Sequence, residues 1–179
     1  MRAIHALTGL CVLVCATRIA AADGAASPYA KSKPGDWIEW KVSAQQGGNP
    51  VAYTHRETVV ERGNDEVTVE TSTEVAGQPV TRRNVYKLKE AAGTAKTSKA
   101  IRQEKIGEGA EDVTVNGKVY PCQWVQWKIT VTVGENELVT TQKVWTSPDV
   151  PMGGKVKSEV ETPNGGTQTF VLSGFGSGK

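Results

Sequence analysis

The chain of 179 residues carries 21 Lys and Arg, 19 Asp and Glu, three Cys and two His, with a formal net charge of +2. Setting aside a predicted secretory signal removes Arg2 and Arg18, which leaves 19 basic against 19 acidic residues, one Cys (Cys122) and one His (His55). This neutral balance excludes the basic footprint of non-specific nucleic-acid binding, and the short supply of Cys and His excludes a zinc site.

Residues 1–22 have the layout of a cleavable signal peptide. A basic residue precedes a short apolar stretch, and the small residues Ala20 and Ala22 mark the cleavage site. The apolar stretch is too short to span a bilayer, and no run elsewhere is long enough. Leu10 and Val14 precede the two signal cysteines, where lipid attachment would require a small residue. The sequence therefore predicts a soluble exported protein, periplasmic or extracellular, with no transmembrane segment and no lipid anchor.

The predicted mature chain is rich in β-branched residues, with 21 Val and 17 Thr against only 3 Leu. Because β-branched side chains favour strands and a Leu-poor chain has little material for apolar helix faces, we expect an almost all-β protein. The pattern predicts an extended leader over 23–35, a single β domain over 36–173 and a flexible Gly/Ser tail over 174–179. Only residues 89–99 favour a helical turn.

The first two predicted strands, 36–44 and 51–62, are joined through Gly47-Gly48-Asn49-Pro50. A hairpin centred on Gly77-Gln78 follows, because Gly in the first loop position suits a two-residue type II′ turn. This turn keeps apolar residues on one face of both strands, a condition that a one-residue slip would break. The predicted pairs are Val75 with Val80, Val69 with Tyr86, and Val67 with Leu88.

Three more turns order the second half of the domain. Asn116-Gly117 is a type I′ signal, Gly134-Glu135 suits a two-residue turn, and Asn164-Gly165-Gly166 suits a three-residue turn that sets Val160 against Phe170. The Gly134-Glu135 turn joins 119–133 to 136–145. Its predicted pairs are Val131 with Leu138, Ile129 with Thr140, Val125 with Val144, and Trp124 with Trp145.

These turns and strands predict nine or ten antiparallel strands in one large meander sheet. A sheet of that size must curl to cover its apolar face, since no strong helix is available to cover it. We therefore expect an all-β fold curled into a half-open or closed barrel, and a β-sandwich is the alternative.

Three segments resemble secreted bacterial β proteins of unknown function: Pro34-Gly-Asp-Trp-Ile-Glu-Trp, Val115-Asn-Gly-Lys-Val-Tyr-Pro-Cys, and the turn Val150-Pro-Met-Gly-Gly after Trp145. The order of these elements, a long meander followed by this turn, is similar to the envelope proteins of the LolA/LppX-like group. The resemblance implies a curved half-barrel that carries a lipid or another apolar ligand in its concavity. It supplies no catalytic signature.

The strongest candidate for a binding site is an aromatic group on an otherwise polar sheet face. Trp and Tyr offer large apolar area with a polar group attached, so the group is a candidate ligand platform. The alternative is a core covered by the leader, the loop 148–154 or a second sheet. The members of the group are Tyr120, Trp124, Trp145, Val113 and Val115.

Catalysis and metal binding find little support. His55 and Cys122 could form a base and nucleophile pair, but no orienting carboxylate or helix N-terminus accompanies them. His55 lies in mid-strand beside Arg56 and Glu57, and a lone exported thiol is usually a small buried hydrophobe. The acidic turns match no calcium loop. We expect a non-enzymatic protein without a cofactor or metal.

Charge is unevenly distributed along the chain. Residues 82–105 hold eight basic and two acidic residues, whereas 57–74 hold six acidic and one basic. Cross-strand pairing accounts for part of this imbalance. The remaining basic residues could contact an anionic partner such as phospholipid head groups. They are Lys96, Lys99, Arg102 and Lys105.

Two functions remain open from the sequence. The first is an exported envelope protein that binds an apolar or amphipathic, lipid-like ligand in a curved sheet. The second is a structural or interaction module of the envelope, in which the aromatic residues are core or interface. A monomer is expected, and the sequence does not identify a protein partner.

Overall fold

A computed structural model of the chain describes residues 27–46, 49–75, 77–89, 101–163 and 165–178. The predicted signal peptide and most of residues 89–99 lie outside these ranges. Within them the regular secondary structure is all β, without a helix. The strands are β1 (Trp37–Gln46), β2 (Asn49–Arg62), β3 (Glu66–Val75), β4 (Gln78–Lys87), β5 (Ile101–Val115), β6 (Lys118–Val133), β7 (Asn136–Thr146), β8 (Lys155–Glu161) and β9 (Thr167–Gly176).

The nine strands form one sheet in the order β4-β3-β2-β1-β9-β8-β7-β6-β5. Two meanders, β1 to β4 and β5 to β9, are joined where the last strand pairs with the first. All neighbours in the sheet are antiparallel. The predicted all-β fold built on one large antiparallel sheet is confirmed.

The odd number of strands explains why the sheet stays open. Strand direction alternates across the sheet, so β4 and β5 at its two edges run in the same direction. They cannot pair as one more antiparallel neighbour, whereas closed up-and-down barrels usually have an even number of strands. The half-open form is therefore the correct one of the two predicted barrel forms.

The half of the sheet from β5 to β9 is strongly bent. In a flat sheet β5 and β9 would lie about 19 Å apart, because neighbouring strands are about 4.8 Å apart. Cα atoms of the two strands instead approach within 8 Å. In the β5–β6 turn, Asn116 Nδ2 donates a hydrogen bond to the carbonyl oxygen of Ser173, at 3.2 Å. The sheet therefore folds over at this end.

Two of the predicted hairpin registers are confirmed. β6 and β7 pair as expected, including Trp124 opposite Trp145. The β5–β6 turn has positive φ at both Asn116 (51°) and Gly117 (78°), as a type I′ turn requires.

Two other registers are wrong by two residues. In β3–β4, Val75 pairs with Gln78, so Gly77 occupies the second loop position and not the first. In β8–β9, Val160 pairs with Gln168 and not with Phe170, because the loop has five residues, 162–166. The Thr162 amide closes that loop by donating to the carbonyl oxygen of Gly166, at 2.8 Å.

The leader does not extend as predicted. Residues 27–36 form consecutive turns, and their carbonyl groups converge on the guanidinium of Arg62. Its Nη1 donates to the carbonyl oxygens of Tyr29 (3.0 Å) and Ser32 (2.7 Å), and its Nη2 donates to that of Ala30 (2.7 Å). An extended chain could not bring three carbonyls to one side chain.

The flexible tail predicted from residue 174 is wrong for its first three residues, because β9 continues to Gly176. The indole of Trp37 lies on the backbone of this segment. A Cβ atom at Gly174 or Gly176 would come within 3.3 or 2.7 Å of that ring. Because Gly174 and Gly176 have no side chains, the ring of Trp37 has room to lie there. The guanidinium carbon of Arg56 covers the ring at 4.0 Å from its centre.

Most of the buried apolar side chains form one cluster that spans both meanders. The loops that cover the sheet contribute Tyr29, Val150 and Met152, and both halves of the sheet contribute the rest. The strand members include Ile38, Trp40, Val59, Val67, Val69, Val115, Tyr120, Cys122, Trp145, Val156 and Leu172.

Candidate functional site

The five predicted aromatic-group residues come together in the structure. Val113 lies opposite Tyr120 across the β5–β6 pair, and Trp124 lies opposite Trp145 across β6–β7. Val115 follows on the same face, one alternate position beyond Val113. The two confirmed hairpin registers are what assemble the group.

Most of this group is buried. Trp145, Val115 and Tyr120 are 4%, 5% and 6% exposed, and only Val113 and Trp124 are partly exposed. All five belong to or pack against the central cluster, which also contains Val150 and Met152 of the β7–β8 loop. In this structure the group is packed core. It is covered by the loop 148–154, which was one of the alternatives predicted from the sequence.

Trp124 is fixed between glycine backbone and a lysine. A Cβ atom built at Gly109 would lie 2.8 Å from its ring, and one at Gly107 would lie 3.2 Å away. On the other side, Lys143 Nζ lies 4.0 Å from the centre of this ring and 4.4 Å from that of Trp145. Such contacts between a cation and an aromatic ring are worth about 0.5–1 kcal/mol at exposed sites.

Glu111 completes this side of the group. Its Oε1 accepts hydrogen bonds from the Trp145 indole and, at 3.4 Å, from Lys143 Nζ. The Trp145 hydrogen bond, together with Lys143 and Lys157, holds the pKa of Glu111 below its ordinary value despite some desolvation. The polar atom of Trp145 is therefore already satisfied within the chain.

Replacing Gly109 by valine tests this packing. We expect Gly109→Val to lower the free energy of unfolding by about 1–3 kcal/mol, because the new side chain must displace the Trp124 ring. Ala110→Val, at the next position along β5, is the matched control. Because the side chain of Ala110 is exposed, this change should alter stability by less than about 0.5 kcal/mol. Urea denaturation measures both, and equal effects would contradict the assigned packing.

Cys122 and His55 do not form a pair. Cys122 is 3% exposed, and desolvation, followed by the nearby charges of Asp112 and Glu111, raises the pKa of its thiol. The His55 ring instead has Nδ1 at 3.2 Å from Thr73 Oγ1. The two side chains thus have separate surroundings.

The sequence did not predict a largely buried polar group around Glu57. Glu57 accepts a hydrogen bond from the Tyr29 hydroxyl at 2.9 Å, and its other oxygen lies 3.7 Å from His55 Nε2. Lys155 Nζ lies over the rings of Trp40 (4.1 Å) and Phe170 (5.0 Å). His55 itself is only 7% exposed.

The charges in this group shift one another. Desolvation would raise the pKa of Glu57, but the His55 and Tyr29 hydrogen bonds and the charges of Lys155 and His55 outweigh it and lower that pKa. Burial lowers the pKa of Lys155, and the charge of Glu57 opposes that change. The spacing of His55 and Glu57, two residues apart on one strand face, was a usable signal for part of this group. Lys155 gave no such signal.

A cleft of about 870 Å³ lies between the leader, the β7–β8 loop and the end of β9. Its apolar lining includes Pro28, Met152 and Phe175, and Lys31 and Asp36 supply charge. A smaller pocket of about 560 Å³ adjoins it, sharing Gln123 and Pro148.

The predicted anion-contact residues are only partly described. Lys96 and Lys99 lie outside the described residues. Arg102 and Lys105 lie exposed on β5, and Lys105 Nζ forms an ion pair with Glu108 at 2.9 Å.

The described ranges lack two features. They hold no cluster of three or more His, Cys, Asp or Glu side chains placed to bind a metal ion. They also contain no helix that is long and apolar enough to cross a bilayer.

Comparison with known proteins identifies a shared fold. No family model matches the chain, and no curated protein is similar in sequence. A presumed exported protein with a YmcC-like fold from Bacteroides fragilis aligns over 86% of this chain and 100% of its own, with a TM-score of 0.54 and 11% identity. At that identity the similarity establishes the fold alone.

Two further structures are less similar. A presumed lipoprotein from Parabacteroides distasonis aligns over 80% of this chain and 97% of its own, with a TM-score of 0.46 and 12% identity. A DUF1329 family protein from Desulfovibrio piger aligns over 83% and 87%, with a TM-score of 0.29 and 10% identity.

Proposed function

We propose that the protein is an exported, non-catalytic binding protein of the cell envelope, which takes the apolar chain of an amphipathic ligand into the cleft beside the leader. The observation that carries the proposal is the cleft itself, whose volume of about 870 Å³ lies within the range of about 300–1,000 Å³ typical of small-molecule sites. The predicted signal peptide and the LolA/LppX-like resemblance agree with an exported carrier.

The cleft walls combine apolar and charged surface. Its apolar surface comes from Pro28, Met152 and Phe175, and its charged groups are the side chains of Lys31 and Asp36. A ligand that is apolar at one end and charged or zwitterionic at the other matches this lining better than a wholly polar one does. This is the chemistry of a single-chain lipid or detergent.

The leader meets the β7–β8 loop at Gly153, and the two ends of that loop meet at Gly154. A Cβ atom at Gly153 would lie 2.8 Å from Pro28, and one at Gly154 would lie 2.6 Å from the carbonyl oxygen of Ser147. Met152 adopts a positive φ of 55°, which is uncommon for a residue other than Gly, Asn or Asp. A loop held in this way gives the cleft a defined shape, and such backbone often accompanies functional sites.

Filling the cleft tests the proposal. Ala30 lines it and is half-buried, so Ala30→Phe should weaken binding of dodecylphosphocholine monomers about tenfold or more by occupying their space. Ala52→Phe, on the exposed side of β2, is the matched control and should bind like the unchanged chain. Isothermal titration of lipid-stripped protein, below the micelle concentration, measures all three.

Two results would contradict the proposal. One is the absence of any binding of dodecylphosphocholine by the unchanged protein. The other is equal affinity for the Ala30→Phe and Ala52→Phe variants, which would move the site away from the cleft.

A further inference from the structure

Among the described residues, the outer edge of β5 is an open hydrogen-bonding edge. β5 is the last strand of the sheet and pairs with β6 on its inner side, and no other described strand pairs with it. Its side chains are exposed over most of its 15 residues, including Ile101 (42%) and Ile106 (48%). An edge strand that is long and carries exposed apolar residues is a template for pairing with another chain.

The net charges of the two halves of β5 have opposite signs. Arg102 and Lys105 outnumber Glu104 in the first half, and the second half holds Glu108, Glu111 and Asp112 without a basic residue. A symmetric dimer requires a self-complementary patch, in which residue i of one copy meets residue j of the other and the reverse. A strand that is basic at one end and acidic at the other meets this requirement when two copies run antiparallel.

One antiparallel register satisfies charge and side-chain direction together. With Ile106 opposite Gly107 of a second copy, Lys105 opposes Glu108, and Arg102 opposes Glu111, each pair occurring twice. The side chains also share faces. Lys105 and Glu108 pair within the chain with Trp127 and Val125, and Arg102 and Glu111 pair with Thr130 and Cys122. This agreement depends on the register shift between Lys105 and Gly107. The shift places Glu108 on the same face as Lys105, and Glu111 on the same face as Arg102.

We infer that the protein forms a symmetric dimer, in which two copies extend one sheet by pairing the exposed edges of β5. In the dimer, Arg102 faces Glu111 of the second copy, and Lys105, which pairs with Glu108 of its own chain, also faces Glu108 of the second copy. The dimer takes the place of the monomer expected from the sequence. The opposite edge does not offer this pairing. β4 carries Arg82, Arg83 and Lys87 without an acidic residue, so two copies of it would repel.

Charge reversal provides the test. Lys105→Glu and Glu108→Lys each set like charges against each other at two places in the symmetric dimer, and each should weaken association about tenfold or more. An equimolar mixture of the two variants should associate again, because position 105 of each chain then faces the opposite charge at position 108 of the other chain. Arg82→Glu, on the β4 edge, is the control and should associate like the unchanged protein.

Sedimentation equilibrium from about 1 to about 500 μM protein, at low and high salt, measures these constants. A dimer weakened by salt and by each single reversal, and recovered in the mixture, supports the inference. It is overturned if the unchanged protein stays monomeric over the whole range at low salt, if the mixture fails to associate, or if Arg82→Glu abolishes the dimer.

Discussion

Replacing Trp40 by alanine is expected to lower the free energy of unfolding by about 3–5 kcal/mol, the usual cost of removing a buried Trp or Phe side chain. Trp40 is 1% exposed, the largest side chain in the fully buried core. Its Nε1 also donates to the carbonyl oxygen of Lys155 at 3.1 Å, and the Lys155 ammonium lies over its ring. Alanine would remove all three interactions and leave a cavity.

Two variants sharpen this prediction. Trp40→Phe keeps most of the packing but leaves the Lys155 carbonyl unpaired, so its cost should be smaller, about 1–3 kcal/mol. Trp37→Ala removes a partly exposed indole from the same strand and should cost less than Trp40→Ala. Urea unfolding measures the series, and a Trp40→Ala loss below about 1 kcal/mol would contradict the central position given to this ring.

The buried group around Glu57 gives the second large effect. Glu57→Gln keeps the shape of the side chain but removes the negative charge near Lys155, so a desolvated ammonium loses its counter-charge. We expect a loss of about 1–3 kcal/mol, since Gln leaves the desolvated Lys155 ammonium without a nearby negative charge and weakens the hydrogen bond from the Tyr29 hydroxyl. In the double variant Glu57→Gln with Lys155→Met the loss should be smaller than the sum of the two single losses.

The pH dependence has a defined sign for each partner. The pKa of Glu57 is lowered on folding, so its contribution to stability is present above the ordinary value of 4.5 and is lost as pH falls through the folded pKa. The pKa of Lys155 is lowered from 10.5, so the unfolded chain binds more protons between the folded pKa and 10.5, and stability rises with pH there.

Comparing unfolding curves over pH checks both signs. Glu57→Gln should remove part of the acid loss and Lys155→Met part of the alkaline gain, whereas Glu61→Gln, on the exposed end of β2, should leave the curve unchanged. An acid limb that is identical in Glu57→Gln and the unchanged protein would contradict the assignment to Glu57.

The registers show how far alternation alone can predict a sheet. A slip of one residue moves every apolar side chain to the other face, and the sequence excludes it. A slip of two keeps every side chain on its face, so apolar pairing could not separate Val75 opposite Val80 from the observed pairing with Gln78. The β6–β7 register was predicted correctly because its turn length was also correct.

The candidate site was predictable in part for the same reason. Trp124 and Trp145 meet through neighbouring strands and a short turn, so local sequence placed them together. The contact between Lys155 and Trp40 depends on the strand order, in which β9 lies between β1 and β8. It also depends on the irregular β7–β8 pairing between Trp145 and Thr146. Neither condition has a local signal. The cleft depends likewise on how the leader turns onto the sheet.

The binding account is tested most directly by mapping the ligand onto the chain. Amide chemical shifts of uniformly ¹⁵N-labelled protein, recorded while dodecylphosphocholine monomers are added, report which backbone groups contact it. If the ligand binds in the cleft, we expect saturable changes concentrated at residues 27–32, 146–154 and 175–177, the walls of the cleft. Changes confined to other parts of the sheet, or the absence of saturable changes, would contradict it.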